Sequence, residues 1–285
     1  LQWQSKTVLL AVLPFVAADV VLETHEWAAQ MPAVAIWTLG LSAILGLATL
    51  ALRAATPAAA ATGAIITADL MFSTVAFPYQ PWRTALIPVI AVFLLAFIAT
   101  RMGRREKESL GTAEKRRGRS AAQVAANLGF AALISCELAQ SWLAAHHWLR
   151  HATAAPMPLF AAGLAALAEA AADTVSSEAG QVLGRHPRMI TTLRAAEAGR
   201  DGAVSLAGTL AGVLAAGLVA AAGAEALQGG LAMFWIASAG AVFGLFFDSL
   251  LGATLEQRGW LNNDAVNFLS TAGAAALALI LLRLR

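Results

Sequence analysis

Oxygen-bearing side chains recur at one-turn intervals in Glu169-Ala-Ala-Ala-Asp173-Thr-Val-Ser-Ser177-Glu178. Positions i, i+4 and i+8 lie on one face of a helix, so Glu169, Asp173 and Ser177 form a strip of two carboxylates and a hydroxyl. Such a strip suits the hard, oxygen-seeking Mg²⁺ ion. An acidic helix end hydrogen-bonded within a bundle is the plain alternative. Two more carboxylates stand near the ends of apolar runs: Asp248 in Phe246-Phe-Asp248-Ser-Leu-Leu-Gly252, and Asp264 in Asn262-Asn-Asp264-Ala-Val-Asn267. Asp264 is equally suited to capping the helix that follows it.

Phosphate chemistry is suggested by two neighbouring stretches, Pro187-Arg-Met-Ile-Thr-Thr-Leu-Arg194 and Gly199-Arg-Asp-Gly-Ala-Val-Ser205. Arg188, Arg194 and Arg200, with the hydroxyls of Thr191 and Thr192, can grip phosphate oxygens. Gly199 and Gly202 flank Asp201 and permit close backbone approach. Ser205 falls near a helix N-terminus, where anions are favoured. An orienting basic loop with turn glycines accounts for the same residues without a ligand. Asn263 and Asn267 share a helical face, as do Gln123 and Asn127 after the basic Lys115-Arg-Arg-Gly-Arg119. A phosphate or base contact is open to Arg117, Arg119, Gln123 and Asn127. Arg101, Arg104, Arg105 and Lys107 read instead as orienting charges on anionic lipid heads. Carboxylates, arginines, hydroxyls and glycines together suit metal-assisted phosphoryl chemistry on a lipid-borne phosphate. The chain has no Gly-x-x-x-x-Gly-Lys-Ser/Thr loop, protein-kinase signature, Gly-x-Ser-x-Gly or His-Glu-x-x-His. His146, His147 and His151 cluster near Arg150 and read as a solvated rim.

The elements carrying these groups are membrane helices. Of 285 residues, 59% are hydrophobic and 13% charged, whereas a soluble domain carries about 25% charge. That leaves too little charge for a water-facing surface. Ala and Leu dominate, and the alternating segments of a membrane barrel are absent. The expected fold is all-α, a polytopic transmembrane bundle of about nine spans near 7–22, 32–52, 57–77, 82–100, 121–144, 157–177, 203–223, 230–251 and 264–283. The first is short and carries Asp19. The third and sixth are rich in Ala, Gly and Thr, as helices packed inside a bundle often are. The lone Cys136 excludes an intrachain disulfide and reads as a buried small hydrophobe.

Alternating these spans about the 101–119 loop puts fifteen of the nineteen Lys and Arg on one side. Basic residues mark the cytoplasmic side, so the N-terminus and the polar groups are expected there. The charge balance thus reports orientation rather than a nucleic-acid partner. Lys6 before an apolar run resembles a signal peptide, but Glu23, His25 and Glu26 follow it directly, so the segment reads as a retained span. A bacterial inner membrane is the expected location.

Six ordered stretches carry a resemblance: Arg119-Ser-Ala-Ala-Gln-Val-Ala-Ala-Asn127, Ala172-Asp-Thr-Val-Ser-Ser-Glu178, Pro187-Arg-Met-Ile-Thr-Thr192, Asp201-Gly-Ala-Val-Ser-Leu-Ala-Gly-Thr209, Asp248-Ser-Leu-Leu-Gly-Ala-Thr254 and Asn263-Asp-Ala-Val-Asn-Phe268. Together they resemble the phytyl-phosphate kinase family of integral membrane proteins, over about 55–285. Residues 1–54 then form an N-terminal extension with two membrane helices. The resemblance implies a kinase that converts phytyl or geranylgeranyl monophosphate to the diphosphate, using a nucleoside triphosphate, CTP favoured. On that reading Glu169, Asp173, Asp248 and Asp264 hold Mg²⁺. Arg117, Arg119, Arg188, Arg194 and Arg200 grip phosphates. Thr191, Thr192, Asp201, Gly202, Ser205, Asn263 and Asn267 line the nucleotide side with Gln123 and Asn127, and Glu178 is the nearest candidate base. The glycine loop departs from the family pattern: Ala196-Glu-Ala-Gly-Arg-Asp-Gly202 carries Arg200 where a small polar residue is usual. The alternatives are a CTP-dependent cytidylyltransferase acting on a lipid phosphate and a transporter or regulatory membrane protein.

Overall fold

The computed structural model describes residues 2–103, 107, 118–146 and 157–284. Among them the chain is helical almost throughout. The helices are α1 (Trp3–Gln30), α2 (Pro32–Ala51), α3 (Pro57–Phe72), α4 (Leu86–Arg101), α5 (Ala121–Ser135), α6 (Glu137–Ala145), α7 (Met157–Leu183), α8 (Leu206–Ala226), α9 (Gly230–Leu251) and α10 (Asn263–Arg283). A π-helical turn, Gly252–Glu256, extends α9. Two short strands, β1 (Arg188–Met189) and β2 (Ala203–Val204), pair antiparallel before α8. Helices α1, α2, α8, α10 and α9 with its π turn are long and apolar enough to cross a membrane. The apolar helices α3, α4 and α5 are shorter, at 16, 16 and 15 residues.

Helix α7 is the axis of the bundle and packs against α4, α5, α8, α9 and α10. Its stretch from Phe160 to Ala172 is buried without a break. A helix that is apolar all round belongs in such an interior. Small residues set the spacing. A Cβ on Gly244 of α9 would lie 2.5 Å from Cγ of Glu169, so glycine lets α9 close on the carboxylate-bearing face of α7. Helix α1 packs on α2, α3 and α5, and α2 packs on α3, so residues 1–54 contact the rest of the bundle directly.

The expected helix bounds shift in several places. The first helix runs on to Gln30, so Glu23 as well as Asp19 lies inside it rather than beyond its end. The third stops at Phe72, where the Ser73 and Thr74 hydroxyls donate back to the Asp69 and Leu70 carbonyls. Thr74 also accepts from the Ala85 N–H at 2.8 Å, which ties this end of α3 to the start of α4. The segment 121–144 is two helices, because Cys136 takes an extended conformation between them. Cys136 is half-buried rather than in the core. The seventh expected span, helix α8, starts at Leu206 because Ala203 and Val204 are used in the strand pair.

Five helices, α1, α3, α5, α8 and α10, begin at the end of the bundle where the polar motifs gather. Side chains cap four of them: Thr56 for α3, Ser120 in a reciprocal capping box with Gln123 for α5, Ser205 for α8 and Asn262 for α10. Each such cap contributes about 1 kcal/mol and aims free backbone N–H groups at that end.

Candidate active site

The carboxylates of the sequence strip meet a third from another helix. Asp173 of α7 and Asp248 of α9 are side-chain neighbours, and Glu169 lies close to both. The Ser270 hydroxyl of α10 sits against Glu169 and Asp248. Ser177 donates to Oδ1 of Asp173 at 3.4 Å. Oε1 of Glu169 and Oδ2 of Asp248 are buried without a hydrogen-bond partner. Buried polar atoms are nearly always paired, so these two oxygens retain the capacity to take a donor or a cation.

Cationic groups border this cluster. Arg119 donates to Oγ1 of Thr174 at 3.3 Å, and among the described residues its guanidinium is the positive charge that acts on Asp173. Its position is set by the backbone. The Arg119 N–H donates to the Ala54 carbonyl at 2.9 Å, and the Arg119 carbonyl accepts from the Thr56 N–H at 3.0 Å. Gly118 makes the approach possible: its φ is +73°, and a Cβ there would lie 2.5 Å from the Ala54 backbone.

The other expected site residues divide by location. Glu178 is paired with Lys107 at 2.6 Å, with the two side chains 16% and 1% exposed, so it is not a free base. Lys107 also donates to the carbonyls of Ala99 and Thr100, at 3.1 and 2.8 Å. It is therefore an internal tie between the end of α4 and α7 rather than a lipid-facing charge. Arg188 donates to the Leu193 carbonyl at 2.8 Å, within its own loop. Thr191, Thr192, Arg194, Arg200 and Asp201 are exposed on that loop. Gly202, at φ +73°, presses the loop onto the π turn, where a Cβ would come 2.4 Å from Cβ of Ala253. Gln257 adds a hydrogen bond of 2.6 Å to the Asp201 carbonyl. The loop is thus packed on the turn that follows Asp248.

Four expected ligand contacts are engaged within the protein. Ser205 accepts from the Gly208 N–H at 3.1 Å, and Gln123 caps α5 with Ser120. Asn267 donates to Asn127 at 3.2 Å, and Asn127 donates to the Gln123 carbonyl at 2.8 Å. Asn263 is exposed at the start of α10. Asp264 stands apart from the other three acids: it accepts from Ser5 of α1, and Asn262 rather than Asp264 caps α10. Arg117 lies outside the described residues, as do Arg104, Arg105, His147, Arg150 and His151. His146 is exposed.

Sequence reasoning overlooked Thr174 and Ser270. Thr174 sits inside the quoted acidic motif, and Ser270 lies one turn beyond Asn267, so helical periodicity could have found both. Lys107 gave no such signal, because its partner Glu178 is distant in sequence.

Among the described residues no three acidic, His or Cys side chains close on one point as a preformed metal cage. That fits the habits of Mg²⁺, which takes one or two carboxylates and completes its shell with water and substrate phosphates. Asp173 and Asp248, with the orphan oxygen on the latter, match that requirement.

The fold and this cluster define a polytopic helical membrane protein with a carboxylate and arginine centre at one end of its bundle. Residues 40–275 match the family described as integral membrane protein DUF92, and the chain belongs to it. This is the phytyl-phosphate-kinase-like family that the six motifs resemble, and it contains uncharacterized members. An uncharacterized membrane protein of Synechocystis is 34% identical over 209 residues, covering 70% of this chain and 73% of the relative. One from Methanocaldococcus jannaschii is 43% identical over 108 residues, 38% of this chain and 45% of the relative. Protein VTE6, chloroplastic, of Arabidopsis thaliana is 32% identical over 200 residues, 68% of this chain. The chain spans only 57% of that plant protein's length. No solved structure matches.

Proposed function

We propose that this chain is a membrane kinase of isoprenoid monophosphates, phytyl or geranylgeranyl phosphate, with a nucleoside triphosphate, CTP favoured, as donor. The observation that carries the reading is the meeting of Asp173 and Asp248, from different helices, beside the Arg119 guanidinium. A terminal oxygen of the acceptor phosphate attacks the γ-phosphorus of the nucleotide. The bond to the β–γ bridging oxygen breaks, and the nucleoside diphosphate leaves with that electron pair. The acceptor is already an anion, so no general base is required, in keeping with the engagement of Glu178 by Lys107. Asp173 and Asp248 would hold Mg²⁺, with Glu169 behind them. When bound, the ion neutralises charge on the bridging phosphates. Arg119 orients the acceptor phosphate against this pair. The Lys and Arg asymmetry supports a cytoplasmic face for the site in a bacterial inner membrane.

The test is product analysis with purified protein in detergent, Mg²⁺, a C20 isoprenoid monophosphate and each of CTP, ATP, GTP and UTP. Isoprenoid diphosphate and nucleoside diphosphate should form in equal amounts, and Asp173→Asn should abolish both. Release of pyrophosphate would instead assign a cytidylyltransferase. Folded protein yielding no product with any nucleotide would overturn the enzyme reading for these substrates.

A further inference from the structure

A cavity of about 160 Å³ opens between α2, α3, α4 and α5, with Ala170 of α7 at its base. One water needs only about 10–15 Å³ by the same measure, so the space is an extended slot. Its two ends differ in chemistry. At the polar-motif end stand Arg53, Arg101 and Arg119. Beyond them the walls are mostly small or apolar, with Ala59, Ala60 and Gly63 on α3 and Val92, Phe93 and Ala96 on α4; the polar exceptions, Thr67 and Asn127, are hydrogen-bonded within the protein. Arg101 is held in place by its 2.7 Å hydrogen bond to the Leu52 carbonyl and by stacking over Phe97 at 4.1 Å. Arg119 belongs both to this slot and to the surroundings of Asp173. A group held at the arginine end therefore lies beside the carboxylate centre.

The geometry points to this slot as the binding site of the acceptor's isoprenoid chain, with the phosphate between Arg53, Arg101 and Arg119 and the chain running along α3 and α4. This inference rests on the kinase reading for its occupant. Charge complementarity and length select that occupant. The slot reaches from Arg119, beside Thr56, to Thr67 on α3. Eleven helical residues span about 17 Å at about 1.5 Å each. An extended chain covers about 1.2 Å per bond, so about 14 bonds fit. A C20 isoprenoid, whose main chain has about 16 carbons, matches this length within two bonds by the same rule. Gly46 of α2 and Arg53 just beyond its end thereby join the substrate site, which gives the N-terminal region a role in recognition.

Gly63 supplies the test. It lines the slot about halfway along, and a Cβ there meets only Cγ1 of Val124 at 3.8 Å. Gly63→Leu should fill the slot without disturbing the helices. The remaining depth, about 10 Å from Thr56, takes about eight bonds, the main chain of a C10 isoprenoid. Two readouts are needed: turnover, and nucleotide-free binding of C10 and C20 monophosphates by native mass spectrometry. Gly63→Leu should weaken C20 binding at least about tenfold and leave C10 nearly unchanged, the discrimination expected of an apolar pocket. Arg53→Gln, at an exposed position, should weaken both lengths alike. Binding of C20 unchanged in Gly63→Leu would overturn the inference. So would a bilayer phospholipid such as phosphatidylglycerol that co-purifies in the slot and is not displaced by C20 monophosphate. If no diphosphate forms but the length-selective binding does, the kinase reading falls and the slot assignment stands.

Discussion

Two groups of buried and half-buried carboxylates lie at different depths of this bundle, and their surroundings differ. Glu169, Asp173 and Asp248 lie among α7, α9 and α10, with Arg119, Thr174, Ser177 and Ser270 around them. Asp19 of α1 and Asp69 of α3 lie far along their helices from the polar-motif end. Asp69 is twelve residues beyond Pro57, about 18 Å. Asp69 is fully buried, and both of its carboxylate oxygens lack a hydrogen-bond donor, with Asp19 as the neighbour. Among the described residues neither makes an ion pair. Burial alone therefore does not distinguish a working acid from a structural one. The first group is set apart by its cation, its hydroxyls and its continuity with an apolar slot.

The sharpest way to break this comparison is to neutralise one acid in each group. Asp248→Asn should lower turnover on the order of 10²-fold or more at saturating substrate, the scale of losing a metal-phosphate contact. Its Tm in detergent should remain near wild type; an unaltered rate would remove Asp248 from the site. Next in size is the internal tie. Lys107→Met leaves Glu178 unpaired in a half-buried position and should cost about 3 kcal/mol of stability. Thermal unfolding in detergent reads that loss, and Lys107→Met with Glu178→Gln should recover part of it. A single variant as stable as wild type would show that the pair contributes nothing net. The smallest effect belongs to Asp69→Asn. It removes a chargeable group from a buried site without a partner, so turnover should hold and Tm should rise. A lost rate in Asp69→Asn would make the second acidic group functional too.

The 187–204 loop offers a gentler version of the same lesson. By residue type it is a candidate for binding phosphate, with three arginines and the Thr191 and Thr192 hydroxyls. Yet Arg188 is bonded to its own loop, and Thr191, Arg194 and Arg200 are exposed. The helical motifs behaved differently. Asp173 and Asn267 point inward because their helices are buried on the faces that carry them. Helical periodicity is a strong constraint on where a side chain goes, whereas loop residues answer to turn geometry that composition does not encode.

The amino-acid sequence by itself determined the membrane class and the all-helical fold, because the scarcity of charge and the long apolar runs admit little else. It also determined the facing of Glu169, Asp173 and Ser177, because their spacing matches the helical repeat. Only the tertiary structure decided what lies opposite them. Asp248 reaches Asp173, and Ser270 reaches Glu169 and Asp248, through the packing of three helices, and Arg119 is placed by two backbone hydrogen bonds to the turn before α3. Lys107 changed from a surface charge to an internal partner of Glu178 for the same reason. Contacts between distant segments depend on how small residues such as Gly244 and Gly118 let backbones approach, and no local pattern in the chain records that distance.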